Sequence, residues 1–470
     1  MAEYILADVG STFTKLCLID TGERIVRGWA AGPTTVDTDV NIGLDTALAK
    51  LNLSAADAKP MLVCSSAAGG LRIAAVGLVP QLTMEAARMA ALGAGGKVIR
   101  AFAYHLTGED LSELDRLKPD LILLAGGTDG GDRNHICSNA ESLSEHFPSM
   151  PLIVAGNRDT YDDLRELFAK RDDVLFTRNV MPEMGRLDLE PARAAIRQVF
   201  LEHIVEAKGL ETLRARSECL MPTPEAVRSA AELLSKGLAD EPGLGELLIV
   251  DIGGATTDVF SCSGGEPTAA GTVLRGLPEP FLKRTVEADV GMRYTAPFLL
   301  EAIGKERLAE DTGLAPEGLR AWAEAVAAEP GRLPANASEE EADTALARAA
   351  CEVAVGRHCG IMEEVYTPDG RTYVQRGKDL ARVKYAIGTG GPLASGKVPG
   401  EVLKGVRRRA GCDRLKPISP CPLLDRRYIL WALGLLGAVD APAALDMMKQ
   451  YLTPLDSIVT DNRGPTGKWN

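Results

Sequence analysis

The segment ADVGSTFTKLCLID, Ala7 to Asp20, comes back in altered form as VDIGGATTDVFSCS, Val250 to Ser263. Laid over each other, Asp8 meets Asp251, Gly10 meets Gly253, Thr14 meets Thr257, and Lys15 meets Asp258. Each copy reads as an apolar strand ending in an Asp, a tight turn containing Gly, and a returning strand. In such a turn glycines let backbone N–H groups approach phosphate oxygens, threonine hydroxyls add donors, and the Asp holds a divalent cation. An ordinary β-hairpin explains one copy equally well. Two copies in corresponding halves of a chain suit a pair of lobes gripping a polyphosphate from opposite sides.

A third element, KYAIGTGGPLAS from Lys384 to Ser395, runs from a short apolar stretch into Gly388, Gly390 and Gly391, then Pro392 and Leu393. Such a turn lets a flat base and its ribose lie against backbone. In this order the three elements resemble the superfamily of actin, sugar kinases and heat-shock chaperone ATPases. DVGSTFTK is similar to its first phosphate motif, DIGGATTD to its second and IGTGGPLA to its adenosine motif. The resemblance implies an α/β, two-lobed actin-like ATPase fold with duplicated RNase H-like subdomains, and ATP with Mg²⁺ in a cleft between the lobes. Carried over residue by residue, it makes Asp8 and Asp251 the Mg²⁺-organising, catalytic carboxylates. It sets Gly10, Ser11, Thr12, Thr14 and Lys15 at the phosphates from the first lobe, and Gly253, Gly254, Thr256 and Thr257 from the second. Gly388, Gly390 and Gly391 then belong to the adenosine. The stretch GLPEPFLKRTVEADVGMR, Gly276 to Arg293, resembles the superfamily's adenosine-contacting segment. Its candidates are Lys283, Arg284, Glu287 and Asp289, with a solvated helix face as the alternative.

Composition agrees. A chain of 470 residues suggests two or three domains, and an apolar fraction of 46% is that of a soluble globular protein. No run of about 18 apolar residues offers a membrane span, and the N-terminus carries no secretory pattern, so a cytoplasmic protein is expected. A formal charge of -13 argues against sequence-independent nucleic-acid binding. The nine cysteines are scattered without a C-x-x-C pair, which reads as reduced, mostly buried thiols rather than zinc or iron–sulfur ligands.

Alternating strands and helices make residues 1–245 the first lobe, with an additional β-α-β extension around 150–182. Within it, Ser65, Ser66, Gly69 and Gly70 close a strand where open α/β sheets place ligands. The loop AGGTDGGDRNH, Ala125 to His135, follows the apolar strand LILL. Asp129 there is a candidate catalytic acid that positions the attacking water, with Glu183 as its rival. Asp132 reads as the cap of the next helix. Residues 246–440 form the second lobe, with a helical insertion around 303–349 whose EEEAD run reads as a solvated face. Residues 441–470 are a C-terminal helix and tail.

Across most of its length the chain resembles one group more particularly, the accessory component L of glutamate mutase (methylaspartate mutase). The strings DVGSTFTK, SSAAGGLR, ALGAGGKV, LLAGGTDGG, VDIGGATTDV and TVEADVGMR carry that resemblance, in that order. It implies a slow, partner-coupled ATP hydrolase that acts as a chaperone-like reactivating factor for adenosylcobalamin-dependent mutase subunits, helping them exchange damaged cobalamin. The D-x-H-x-x-G pattern of such mutases is absent, so cobalamin is assigned to the partner. Two other classes fit the same motifs: a small-molecule kinase with Asp129 as base, and a non-enzymatic nucleotide-dependent scaffold or filament.

Overall fold

The computed structural model describes residues 3–10, 13–35, 38–53, 60–66, 71–204, 210–368 and 370–455. They form two compact units. The first holds Met1–Ala230, Gly276–Lys283 and Trp431–Ala444; the second holds Ala231–Arg275, Arg284–Leu430 and Leu445–Asn470.

The first unit opens with β1 (Glu3–Val9), β2 (Phe13–Asp20), β3 (Ile25–Pro33), the helix α1 (Val40–Lys50) and β4 (Met61–Ser65). There follow β5 (Arg72–Gly77), α2 (Glu85–Gly93), β6 (Lys97–Ala103), α3 (Gly108–Leu117), β7 (Leu121–Leu124) and α4 (Asn134–His146). Then come β8 (Leu152–Val154), α5 (Tyr161–Leu167), β9 (Val174–Phe176), α6 (Glu190–Ile204), α7 (Leu210–Ala215), β10 (Cys219–Pro222) and α8 (Thr223–Lys236).

These strands build two sheets. One has the order β10-β4-β1-β2-β3. Its first three strands in chain order are antiparallel, while β4 and β10 run parallel to β1. Alternation decides its faces: Ile5, Ala7 and Val9 of β1 and Leu16 of β2 enter one core with Val40, Leu44, Ala47 and Leu48 of α1. The second sheet, β6-β5-β7-β8-β9, is parallel throughout and is inserted between β4 and β10. It is covered on both sides. Leu121 and Leu123 pack into the core that holds α1, α2 and α6, while Ile122 and Leu124 pack with Leu114 of α3 and Ile136 of α4. Burial on both faces is why LILL reads as an unbroken apolar run. The sequence reads β8 and β9 as extending the first lobe or as a small attached subdomain; they are the last two strands of this five-stranded sheet.

The second unit contains a short hairpin, β11 (Gly237–Leu238) and β12 (Glu241–Pro242), then β13 (Leu247–Ile252), β14 (Thr257–Cys262), β15 (Thr272–Arg275) and β16 (Leu282–Glu287). Four helices follow, α9 (Ala296–Ile303), α10 (Lys305–Thr312), α11 (Pro316–Ala328) and α12 (Ala337–His358). The chain continues through β17 (Ile361–Thr367), β18 (Gly370–Arg376), β19 (Tyr385–Thr389), α13 (Gly391–Ser395), α14 (Pro399–Leu403) and β20 (Cys421–Asp425). It closes with α15 (Leu430–Leu436), α16 (Ala441–Tyr451) and β21 (Leu452–Pro454). The main sheet runs β16-β14-β13-β19-β20-β21. As in the first unit, a first strand pairs antiparallel with the second, and parallel with the fourth, which pairs parallel with the fifth. Two RNase H-like sheets of the same order make this the duplicated actin-like ATPase fold. Among the described residues no helix is long and apolar enough to cross a membrane.

Candidate functional site

Asp8 lies one residue before the end of β1 and is only 2% exposed, and a buried carboxylate must be paired. The register supplies one partner: Lys15 lies opposite on β2, and its Nζ donates to Asp8 Oδ2 at 2.8 Å. Thr223, which opens α8 directly after β10, donates its hydroxyl to Asp8 Oδ1 at 2.7 Å. Cys64, beside Asp8 on β4, places its Sγ 3.6 Å from the same oxygen. Burial, with the charge of Asp8 second, pushes that thiol well above its usual range. The site thus gathers the C-terminal ends of β1, β4 and β10, where open α/β sheets place ligands.

The turn beside it needs its glycine. Gly10 N donates to Phe13 O at 3.1 Å, and a Cβ on Gly10 would stand 2.7 Å from that oxygen. Ser11 and Thr12 lie outside the described residues, as do Gly69 and Gly70. Thr14 does not face outward. It is fully buried, and its hydroxyl shares a 2.9 Å hydrogen bond with that of Thr34. Ser65 is likewise turned inward, donating to Val9 O at 3.1 Å.

The second unit repeats the plan with one inversion. Asp251 sits opposite Asp258 on β14 and beside Thr389 on β19. Where Lys15 pairs with Asp8, Asp258 pairs with Arg284 at 2.6 Å. Thr257 is fully buried and donates to Val290 O at 2.6 Å, so neither hairpin threonine presents its hydroxyl to a ligand. Gly253 N closes the turn onto Thr256 O at 2.9 Å. Met292 N donates to Gly253 O at 3.1 Å, while Arg293 N and Tyr294 N donate to Gly254 O at 2.8 and 3.1 Å. In a trans peptide the N–H points opposite to the C=O. Those three bonds therefore turn the N–H groups of Gly254 and Ala255 away from the 292–294 segment. Neither N–H has a partner among the described residues. Two successive unpartnered amides make a concavity for an anion.

The adenosine-type glycines divide by role. Gly390 takes φ +97, and a Cβ there would stand 2.3 Å from Ile252 O and 2.8 Å from Asp251 Oδ1. Gly391, by contrast, has open space where its Cβ would be. Gly388 lies inside β19, where its missing side chain makes room for Leu393 and Leu403. Thr389 donates to Asp425 Oδ2 at 2.9 Å, at the end of β20. Burial raises the Asp425 carboxyl above its usual range, against hydrogen bonds from Ile429 N, Leu430 N and Thr389.

Gly254 and Gly391 open onto one cavity of about 960 Å³ within the second unit. Its opposite wall is one face of α12, carrying Ala337, Glu340, Glu341, Thr344, Ala345 and Arg348 at helical spacing. The acidic run that the sequence reads as a solvated face therefore contributes Glu340, Glu341 and Asp343 to the cavity wall. Apolar Met292, Leu314 and Pro392 complete a surface suited to a flat base, and the carboxylates suit its hydroxyl and amine donors.

Three sequence candidates fall elsewhere. Glu287 is not part of the cavity wall, and its Oε2 accepts from Arg357 Nη1 at 3.0 Å. Asp129 follows β7 in the inserted sheet, not the sheet of Asp8, and its Oδ1 accepts from Asn179 Nδ2 at 2.9 Å and Arg158 N at 3.2 Å. That carboxylate braces three loops together. Glu183 is exposed and paired with Arg186 at 2.8 Å. Asp132 behaves as a helix-start acceptor, taking His135 N at 3.1 Å. The sequence reading missed Thr223, whose only signal is the Thr-Pro-Glu helix start, and Arg293, which sits unremarked in TVEADVGMR.

Among the described residues no group of three or more His, Cys, Asp or Glu is arranged to hold a metal. This is compatible with Mg²⁺, which takes one or two carboxylates and completes its shell with water and phosphate.

The model of the family described as MutL protein matches residues 4–452. Protein MutL of Clostridium tetanomorphum is 45% identical over 460 residues, covering 96% of this chain and 99% of that protein. Among solved structures, a nucleotide-free acetone carboxylase is similar at a TM-score of 0.35 and 11% identity, covering 92% of this chain and 69% of that one. A glycerol dehydratase reactivase is similar at a TM-score of 0.31 and 12% identity, covering 94% and 100%. The fold is given by the strand order above and not by likenesses this distant. The match over nearly the full length of both sequences is decisive: the chain belongs to the MutL protein family, that of the accessory component L of glutamate mutase.

Proposed function

We propose that this chain is a cytoplasmic, ATP-dependent reactivating factor for an adenosylcobalamin-dependent mutase of the glutamate mutase kind. Family membership supports the partner class. The nucleotide reading is carried by one observation: the second phosphate turn and the adenosine glycine, distant in sequence, open onto the same cavity. In this reading the cavity takes the nucleoside, with Glu340 and Glu341 as acceptors, and the N–H groups of Gly254 and Ala255 bind phosphate oxygens. In the second unit Asp251 offers a carboxylate to Mg²⁺; in the first, Asp8 offers a carboxylate and Lys15 an ammonium to a metal–phosphate ligand. ATP, when bound, supplies a γ-phosphate contact whose loss on hydrolysis changes which protein state is favoured.

The test uses a mutase inactivated during turnover. Full-length protein with ATP, Mg²⁺ and fresh coenzyme should restore activity, and a non-hydrolysable analogue should not sustain repeated rounds. Reactivation without nucleotide, no association with any mutase, or stoichiometric phosphorylation of a small acceptor would each overturn the proposal.

A further inference from the structure

Arg293 is joined to the phosphate turn and to the cavity wall at once. Its main-chain N–H holds Gly254 O at 2.8 Å, and its Cβ and Cγ lie 3.6 Å from where a Gly254 Cβ would be. Its guanidinium reaches the other way. Nη1 donates to Asp343 Oδ1 at 2.8 Å and to Met292 O at 2.7 Å, and Nη2 approaches Asp343 Oδ2 at 3.4 Å. Asp343 belongs to α12, and its Oδ1 also accepts from Trp322 Nε1 of α11 at 3.1 Å. Gly254, Met292, Arg293 and Asp343 all line the cavity. The Arg293–Asp343 pair is mostly shielded, at 14% and 18% side-chain exposure.

We infer that Arg293 is a positioning residue that sets the Gly253–Ala255 turn and the wall helix α12 in one arrangement, so that phosphates on the turn are sensed at Trp322. The inference rests on the nucleotide reading above and adds a residue to it. The peptide plane that aims the Ala255 N–H is fixed by the amides of Arg293 and Tyr294, and the position of that segment is fixed by the fork onto Asp343. Asp343 is in turn fixed by Trp322. A base filling the cavity excludes water from the pair and strengthens it. Lysine keeps the charge at position 293 but cannot reproduce a two-pronged contact that also reaches Met292 O.

The experiment compares wild-type full-length protein with Arg293→Ala, Arg293→Lys and Asp343→Asn. Affinities for adenosine, ADP and ATP are measured by calorimetry, alongside the part of the ligand-induced tryptophan emission change that Trp322→Phe removes. Breaking a charged hydrogen-bond pair should weaken ADP and ATP binding about 10-fold or more. Adenosine affinity should fall by less, because adenosine never reaches the turn, and the Trp322 signal should be lost in Arg293→Ala. Arg293→Lys should recover only part of the affinity, and Asp343→Asn should add little to Arg293→Ala in the double variant. Equal losses for adenosine and ATP would reduce Arg293 to a strut of the wall and overturn the inference while leaving the nucleotide reading intact. Wild-type protein that binds neither ADP nor ATP would overturn the nucleotide reading itself. If Arg293→Ala does not fold, Asp343→Asn alone decides, since it keeps the shape of the carboxylate and removes its charge.

Discussion

Replacing Thr223 by valine keeps the shape of the side chain and deletes one hydrogen bond, the 2.7 Å donation to Asp8 Oδ1. Asp8 is almost wholly buried, and its other polar neighbours are Lys15 on Oδ2 and the weak Cys64 thiol on Oδ1. Water cannot readily take the place of the missing hydroxyl, so the oxygen loses a charge-assisted bond without compensation. Such bonds contribute about 1.5–3 kcal/mol. The loss should appear as a lower urea midpoint with an unchanged slope, followed by far-UV circular dichroism and tryptophan emission. Thr223→Ser should recover most of it. Because the same carboxylate is proposed to organise Mg²⁺, ATP turnover should fall in Thr223→Val and return in Thr223→Ser. A cycle with Asp8→Asn separates the contact from helix-start effects: valine should cost little once the charge of Asp8 is gone. If Thr223→Val stays within about 0.5 kcal/mol of wild type, the range of neutral surface substitutions, the hydroxyl does not support Asp8 and the reasoning is refuted.

Three further outcomes are expected. Asp8→Asn and Asp251→Asn should each abolish Mg²⁺-dependent ATP turnover while the protein keeps its circular dichroism spectrum; normal turnover in both would remove the proposed metal role. Gly390→Ala should cost at least about 1–3 kcal/mol in thermal or chemical unfolding, because its φ of +97 and the 2.3 Å approach to Ile252 O admit no side chain. Gly391→Ala should leave stability near wild type and weaken nucleoside binding, and a reversed pattern would contradict the cavity assignment. For Asp425, burial raises the folded-state carboxyl above its ordinary 3.8, so the fold holds the proton to higher pH than the unfolded chain does. Its contribution is therefore full below that ordinary value and is lost as pH rises through the raised one. The stability difference between wild type and Asp425→Asn should shift against wild type across that interval, and a pH-independent difference would show that Asp425 titrates normally.

The hairpins were legible because everything that defines them is local: an apolar strand, an Asp at its end, a glycine turn and a return within 14 residues. The returning strand of the first hairpin, Phe13–Asp20, ends where that segment ends. What lay hidden was non-local. That β9 pairs onto β8, β8 onto β7, and β7 onto β5 depends on hydrogen bonds between segments whose spacing says nothing of their partners. Glu340 and Glu341 carry the same charge and helical spacing whether they face water or a cavity; only the tertiary arrangement that lines one cavity with α12, Met292, Leu314 and Pro392 decides. The two hairpin threonines and Asp129 share one cause. A hydroxyl or carboxylate in a glycine-rich turn serves a ligand or the turn itself with the same residue types, and here Thr34, Val290 O and Asn179 had the prior claim.

The placement of the inserted sheet bears on how the protein is made. Ser65 of β4 must find Pro222 of β10, and between them lies a complete five-stranded sheet. Emerging from the ribosome, the first four strands can pair early, but their fifth arrives only after the whole insertion has been synthesised and has drawn its ends together. Thr223 comes with that strand. Asp8 Oδ1 therefore waits without its Thr223 hydroxyl until the inserted sheet has closed, and a lesion deep in that insertion, at Leu124 or Leu143 for example, would reach the proposed phosphate site without touching it. Assembly of the first site thus doubles as a check that the insertion is intact.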